Sequence, residues 1–365
     1  MQRRIYLDAN ATTKIDPVVL SAMLPFLTED YGNPSSKHIF GQISSDAVEL
    51  ARKKAAELIN AKPHEIVFTS GATESNNLAI LGIAKSSLKK GNHIITTSIE
   101  HKSVLNVCEN LQDSEFDVTY LPVDEYGLVD LDDIIKHIRS NTILVSVMAA
   151  NNEIGTIQPI REIGKICKGN DTLFHVDAAQ ALGKIRIDVQ DMNIDVMSMS
   201  AHKMNGPKGV GGLFINRKIK SRISPYLFGG DQELGFRPGT LNVPGIVGFG
   251  AACDLARNGF DIFTKHLDYL SQFAWKKISS DISGVRLNGH PSLRLPNNLH
   301  FSIEGVDSDG LFSNIPEIGI SSGSACKSTS SEPSHVLKSI GISEEFLYSS
   351  VRMGFDRTTT KEDVA

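Results

Sequence analysis

Short apolar runs alternate along this chain with longer stretches whose apolar residues recur every three or four positions. The runs at 65–69, 93–97, 118–121, 143–148, 172–176, 194–197 and 210–216 have the length of strands. The run at 143–148 is apolar almost throughout, which suits a central strand buried on both faces. Between the runs the period changes. Ala47, Leu50, Ala51, Ala55 and Leu58 lie at helical spacing within 44–58, and Leu78, Leu81 and Ile83 mark a helix after 70–77. A further helix is expected over 17–27, and a short strand at 5–7. Strands separated by helices at this spacing predict repeated βαβ units and an α/β fold with a largely parallel sheet.

The alternation stops near 257–262. Before it, 244–257 reads as a helix of small residues. After it come a long amphipathic helix at 263–278, strands at 285–287, 299–303 and 349–353, and a helix near 333–340. This predicts a large unit over 15–257 and a smaller α+β unit made of 1–14 with 258–365. No internal repeat or low-complexity tract interrupts the pattern.

Charge removes some classes of function. Lys and Arg number 37 against 42 Asp and Glu, a net −5, so no basic bias points to direct nucleic-acid binding. No apolar run is long enough for a signal peptide or a membrane span, and a cytoplasmic protein is expected. The four cysteines, Cys108, Cys167, Cys253 and Cys326, lack CxxC spacing, which fits a reduced compartment and argues against a metal site.

The polar residues that follow the strands carry the chemistry. The strand near 194–197 leads to Ser200, His202 and Lys203, closed by the turn Gly206-Pro207-Lys208-Gly209. Polar side chains after parallel strands face the mouth of the sheet, where ligands bind. Four successive strand ends deliver His101, Asn152, Asp177 and Lys203. Ser70-Gly71-Ala72-Thr73 turns from a strand into a helix N-terminus, a ready anion site without a P-loop lysine. Taken singly, Lys203 reads as a solvated lysine, Asp177 or Thr73 as a cap, and Arg352 as a surface ion pair. Taken together they match the needs of pyridoxal phosphate (PLP). Lys203 offers an amine for the aldehyde, Asp177 a carboxylate for the pyridine nitrogen, and His101 a ring to stack. Thr73 and Ser200 suit the phosphate, Gln180 the ring hydroxyl, and Arg352 a substrate carboxylate.

These motifs resemble the PLP-dependent cysteine desulfurases of the IscS/NifS type, in the class V aminotransferase superfamily. The resemblance rests on Tyr6-Leu7-Asp8, Ala11-Thr12-Thr13, Thr69-Ser70-Gly71-Ala72-Thr73-Glu74-Ser75, Glu100-His101-Lys102 and Asn151-Asn152-Glu153-Ile154-Gly155. It continues through His175-Val176-Asp177-Ala178-Ala179-Gln180, His202-Lys203, Arg237-Pro238-Gly239-Thr240 and Ser321-Ser322-Gly323-Ser324-Ala325-Cys326, in family order over essentially the whole chain. It implies PLP fold type I, the aspartate aminotransferase-like architecture with a mostly parallel mixed sheet in the large lobe and a smaller α+β lobe, and a homodimer that converts L-cysteine to L-alanine. Lys203 would anchor PLP and move protons, with His101 stacking on the ring and assisting as acid–base. Asp177 and Gln180 would hold the ring, and Thr73, Ser200 and His202 the phosphate, in a cofactor-binding turn that includes Ala72. Thr240 would reach the phosphate from the other subunit, Asn152 and Arg352 would bind the substrate carboxylate, and Cys326 would take the sulfur as a persulfide.

Cys326 also stands out on its own. It lies among Ser, Gly, Ala, Lys327, Ser328 and Thr329, whereas Cys108, Cys167 and Cys253 sit in helical, packed surroundings. Its loop resembles the family branch that hands persulfide sulfur directly to acceptor proteins, for iron–sulfur assembly, tRNA thiolation or DNA phosphorothioate modification. Met204-Asn205, Pro238 and Asp356 depart from the usual family residues, an apolar plus bulky pair, Ser or Ala, and Gly. Relatives run on through a further helix and tail, while this chain stops at Ala365. The departures suggest a specialised acceptor. The rival readings are a selenocysteine lyase or other class V PLP lyase, which the cysteine loop disfavours, and a non-catalytic subunit of a sulfur-transfer complex, which Lys203, Asp177 and Cys326 disfavour.

Overall fold

The computed structural model describes residues 3–322 and 333–365. In chain order the described strands are β1 (Ile5–Tyr6), β2 (Ile66–Thr69), β3 (His93–Thr97), β4 (Asp117–Leu121), β5 (Thr142–Ser146) and β6 (Leu173–Asp177). They continue with β7 (Val196–Ser200), β8 (Gly211–Ile215), β9 (Val285–Leu287), β10 (Asn298–Ile303), β11 (Ile318–Gly319) and β12 (Ser350–Gly354).

The large sheet runs β2-β8-β7-β6-β5-β3-β4 among the described residues. Its pairs from β4 to β7 are parallel. β8 pairs antiparallel with both β7 and β2, so the sheet is mixed. The reason is local. The chain returns from β7 to β8 through the short segment 201–210, which holds no crossover α-helix, and a direct return pairs antiparallel.

Both faces of this sheet are covered, which explains the nearly unbroken apolar runs. Alternate residues of each strand enter different cores. Leu144, Leu173, Val196 and Leu213 pack with Leu78, Ile80 and Ile83 of the helix Ala72–Ser87. Val145, Phe174, Met197 and Phe214 pack on the other face with Val48 and Ala51 of the helix Ile39–Leu58 and Phe249 of the helix Val243–Asn258. Each such side chain, fully buried, contributes ~1.5–3 kcal/mol.

A second sheet, β12-β10-β9, is antiparallel, and β1 pairs with β11 beside it. Leu7, Leu270, Leu299, Phe301, Val351 and Phe355 form its separate core against the long helix Phe260–Asp281.

Three expectations need correction. The helix expected over 17–27 is two, Pro17–Met23 and Pro25–Thr28, because Pro25 has no N–H to continue the first. The helix expected from 44 begins at Ile39, where the His38 ring caps the amide of Gly41. The strand expected at 194–197 lies at Val196–Ser200, so Ser200 is its last residue rather than part of the loop. No helix among the described residues is long and apolar enough to cross a membrane.

His175, at the centre of β6, is fully buried between Ser146 Oγ at 2.8 Å and Ser198 Oγ at 3.0 Å. Burial pushes its pKa down to about 4. Above the ordinary value near 6.5 it is neutral folded and unfolded, and pH has no effect through it. As pH falls from there, only the unfolded chain takes the proton, and stability drops until about pH 4. The loss through this group is on the order of 3 kcal/mol. Urea unfolding from pH 7 to 4.5 should show the slope, and His175→Asn should make it shallower, the rest coming from His202 and His300. An equal slope in both proteins would contradict the assignment.

Candidate active site

β7, β6, β5 and β3 are parallel neighbours, so their carboxyl ends share one edge. The chain continues from β3 to His101 and from β5 to Asn152. β6 ends on Asp177, and β7 leads through the single turn Ala201–Lys203. The sheet therefore brings together the residues that the strand ends predicted.

Lys203 Nζ donates to the backbone carbonyls of Asn10 at 2.7 Å and Ala11 at 2.6 Å. The segment 8–13 thus forms a wall of the lysine site. The amide nitrogen of Gln180 donates to the same Asn10 carbonyl at 2.9 Å. Its Oε1 accepts from Asn10 Nδ2 at 3.4 Å and from Lys184 Nζ at 3.3 Å. Lys184 is buried, and burial followed by the charge of Lys203 pushes its pKa down to about 7.

Asp177 is buried with both carboxylate oxygens engaged. Oδ1 accepts from the Ala179 amide at 2.9 Å and Oδ2 from Asn76 Nδ2 at 2.8 Å. Asn76 Nδ2 also lies 2.8 Å from Ser103 Oγ, which in turn meets His101 Nδ1 at 2.8 Å. The Ser103 amide donates to the same ring nitrogen at 3.1 Å. A continuous polar chain thus links Asp177 to His101 and fixes the orientation of both. Asn76 and Ser103 were not recognised in the sequence. The available signal was a polar pair, Ser75-Asn76, on the inner face of an otherwise apolar helix. Before His101, the buried Glu100 carboxyl accepts from the Met148 amide and Thr97 Oγ1, and burial pushes its pKa up to about 8.

Gly71, with φ 150°, is the N-cap of the helix Ala72–Ser87, and no side chain caps it. Neither Ser70 nor Thr73 fills that role. The Ser70 amide instead donates to Glu74 Oε2, and Thr73 is exposed in the first turn. A Cβ on Gly71 would point towards Ser200 Oγ, 4.0 Å away. Gly211 has no room for a side chain, since its Cβ would lie 2.3 Å from Met199 O and 2.7 Å from Gly71 Cα. Its bareness lets the Gly71 turn close on β7. The result is an open cradle between Ala72, Thr73 and Ser200 at the positive end of a helix. His202 lies beside Thr12, Nδ1 to Oγ1 3.1 Å. Burial, then the charges of Lys203, Lys208 and Lys184, push its pKa down to about 4, so it is a neutral donor towards an anion.

Arg352 in β12 is buried. It donates to Asp8 Oδ1 at 2.9 Å and to the Asn152 carbonyl at 3.1 Å. Its expected partner Asn152 is therefore adjacent, while Asp8 is a further member of the site. Ser321 Oγ shares the same Asp8 oxygen at 3.1 Å.

Two expected residues are not placed in this cluster. Cys326 lies outside the described residues. Thr240 is exposed, and among the described residues no hydrogen bond joins it to the Lys203 cluster. Its loop is tied to the first turn of the helix Ala72–Ser87 by Arg237 Nε on Glu74 Oε1 at 3.0 Å. Cys108, Cys167 and Cys253 are free and buried in helices, as expected. A larger cavity of ≈ 860 Å³, lined in part by Val123, Asp130, Asp133 and Glu162, contains none of the site residues.

The residues present fit PLP. The open cradle suits a phosphate, the fixed Asp177 carboxylate a protonated ring nitrogen, and the lysine at the strand end an aldehyde. Comparison with known proteins agrees. The family model for class-V aminotransferases matches residues 5–365. A probable mitochondrial cysteine desulfurase of Dictyostelium discoideum is 51% identical over 99% of this chain and 80% of its own length. The cysteine desulfurase IscS of Rickettsia bellii is 49% identical over 99% of this chain and 88% of its own. The solved structure of SspA in complex with cysteine superposes with a TM-score of 0.86 at 39% identity, covering 98% of this chain and all of that one. Geometry and relatives converge, and the chain belongs to the class-V aminotransferase family, among its PLP-dependent cysteine desulfurases.

Proposed function

We propose that this chain takes sulfur from L-cysteine onto Cys326, leaving L-alanine, with Lys203 as the anchor and proton carrier. The observation that carries the reading is the meeting of Lys203, Asp177 and His101 at one sheet edge beside an uncapped helix N-terminus. PLP, when bound, supplies an electron sink for charge developing at the substrate α-carbon. Thr73, Ser200 and His202 hold its phosphate, with the amides of the turn through Ala72. Asp177, immobilised by Asn76 and Ala179, keeps the ring nitrogen protonated, and Gln180 turns an amide hydrogen to the ring oxygen.

Arg352 and Asn152 bind the substrate carboxylate. Asp8 holds the guanidinium in place, so a bidentate geometry is ready before substrate arrives. The Lys203 amine takes the α-proton and returns it to the carbon skeleton, and His101 stacks on the ring and assists the transfer. The Cys326 thiolate attacks the substrate sulfur. The bond between the substrate β-carbon and sulfur breaks as the sulfur–sulfur bond to Cys326 forms. The electron pair of the broken bond stays with the β-carbon, and that carbon takes up the proton given up by the Cys326 thiol, which completes alanine. The persulfide then passes to an acceptor protein.

The reading extends to assembly. Residues 15–257 are assigned to the cofactor-binding unit and 1–14 with 258–365 to the smaller one, and a core cluster in which Ile99, Met148 and Ile154 pack with Val336, Leu337 and Ile340 joins the two. The reduced cytosol is the compartment that keeps the Cys326 thiol available. Tyr31, Ile39, Phe40, Phe228 and Leu234 are large apolar side chains left exposed, which a second copy would bury, bringing Thr240 to the partner's phosphate. The holoenzyme should sediment as two chains at micromolar concentration. A mass of one chain with PLP bound would rule the dimer out.

The direct test of the function is one turnover on L-cysteine without reductant, followed by peptide mass spectrometry. One extra sulfur should appear on the peptide containing Cys326. Its appearance on Cys108, Cys167 or Cys253 would refute the assignment.

A further inference from the structure

The turn that carries Lys203 is held from the second sheet as well as from its own. Asn205, two residues on, has φ 62°, a left-handed conformation that Asn tolerates better than most side chains. Its amide N–H donates to Thr13 Oγ1 at 2.8 Å, and its carbonyl accepts from the Asp16 amide at 3.0 Å. Its Nδ2 donates to the Lys14 carbonyl at 3.0 Å and lies 2.8 and 2.9 Å from the two carboxylate oxygens of Asp356. Both residues are buried, each 8% exposed.

Asp356 follows β12, four residues after Arg352. Its own segment is closed on itself. The Asp356 amide donates to Thr359 Oγ1 at 2.9 Å, and Oδ1 accepts from the Arg357 amide at 2.7 Å. Arg357 pairs with Asp16. The carboxylate is therefore aimed at Asn205 by a rigid frame. Thr13 passes the constraint on, since its amide and hydroxyl both donate to the His202 carbonyl, at 2.9 and 3.0 Å. The carbonyls that hold Lys203 Nζ, those of Asn10 and Ala11, belong to the same segment.

We propose that Asn205 and Asp356 form a latch that positions Lys203, tying the lysine turn to the strand that carries the substrate-binding Arg352. Neither residue touches the reacting atoms. Both act through residues 10–14 and the turn itself. The proposal rests on the reading of Lys203 as the anchor of PLP. It accounts for two departures from the family pattern at once. Asn205 stands where a bulky residue is usual and Asp356 where glycine is frequent, and each departure supplies the other's partner.

The latch acts on rate more than on substrate binding. A loosened turn spreads the position of the amine, and a displacement of ~1 Å at a reacting group costs up to ~100-fold. Arg352 keeps Asp8 and the Asn152 carbonyl, so cysteine affinity is spared.

The test uses Asn205→Gly, Asp356→Ala and the double variant of the full chain. Glycine keeps the left-handed backbone without strain and removes only the amide. Each single change should lower kcat ~10-fold with KM for cysteine within about twofold, the pattern of a group felt only in the transition state. The double variant should lose much less than the product of the two single losses, because both single changes remove the same Asn205–Asp356 bond. In the cofactor-free protein, hydrogen exchange of the amides at 203–206 should quicken by ~10-fold in each variant. Asp356→Asn keeps an acceptor of the same shape and should retain kcat to within about threefold.

Multiplying rate losses in the double variant would overturn the latch. So would an unchanged kcat with only a lower Tm, or unchanged exchange at 203–206. If Asp356→Ala fails to fold, Asn205→Gly against Asp356→Asn decides on the same readouts. Borohydride reduction of the parent holoenzyme separates the two levels. PLP fixed on a residue other than Lys203 refutes the anchor, whereas PLP on Lys203 with unchanged kcat and exchange refutes the latch alone.

Discussion

Cys326→Ser should bind L-cysteine with a normal spectral change and release almost no sulfide. The two halves of the reaction need different groups. Removing the α-proton needs the cofactor site, Asp177 and Lys203, all untouched by the change. Attack on the substrate sulfur needs a thiolate, and a hydroxyl of much higher pKa cannot replace it near neutral pH. The rate should fall ~10³-fold or more, the scale of losing a group that works as part of a unit. The remaining described cysteines offer no substitute. Burial pushes the Cys108 thiol up to about 12 and those of Cys167 and Cys253 higher still. Cys108→Ser, Cys167→Ser and Cys253→Ser should keep turnover and lose roughly 1–3 kcal/mol of stability through a buried hydroxyl. Ionisation of the nucleophile should raise activity towards mildly alkaline pH, and Lys327→Glu should move that rise upward by removing a favourable charge. Full sulfide release by Cys326→Ser would leave a PLP lyase of another kind.

What the sequence made legible was whatever depends on one short stretch. Apolar runs marked the strands of the large sheet, because burial on both faces leaves few polar positions within them. Strand ends marked Asp177 and Lys203, because a parallel sheet collects its carboxyl ends on one side. Partnerships across the chain were hidden. Asp8 meets Arg352 across 344 positions and Asn205 meets Asp356 across 151, and nothing local in either residue announces the other. Asn76 was missed for a related reason. A single asparagine in a helix reads as an ordinary polar residue until the packing turns it towards Asp177. The reversal of β8 was implicit in the tight Gly-Pro-Lys-Gly turn. Its cause is topological rather than a matter of residue preference, so strand periodicity did not show it.

Lys203→Ala should abolish the covalent hold on PLP and lower cysteine turnover by at least ~10³-fold. The site contains a second candidate amine, which makes the prediction sharp. Lys184 is buried, its pKa is pushed down to about 7, and a deprotonated amine is what an aldehyde requires. Geometry decides between them. Lys184 Nζ is turned onto Gln180 Oε1 at 3.3 Å, behind the residue expected at the ring oxygen. Lys203 stands on the turn after β7, and its Nζ donates to the carbonyls of Asn10 at 2.7 Å and Ala11 at 2.6 Å. After borohydride treatment, digestion of the parent should therefore yield PLP on the peptide containing Lys203. In Lys203→Ala no peptide should carry it, although the cradle of Ala72, Thr73 and Ser200 still retains free cofactor. Lys184→Met should keep the covalent link, because the bond is made elsewhere. Reduced PLP on the Lys184 peptide of the parent, or a surviving link in Lys203→Ala, would transfer the role of anchor to Lys184.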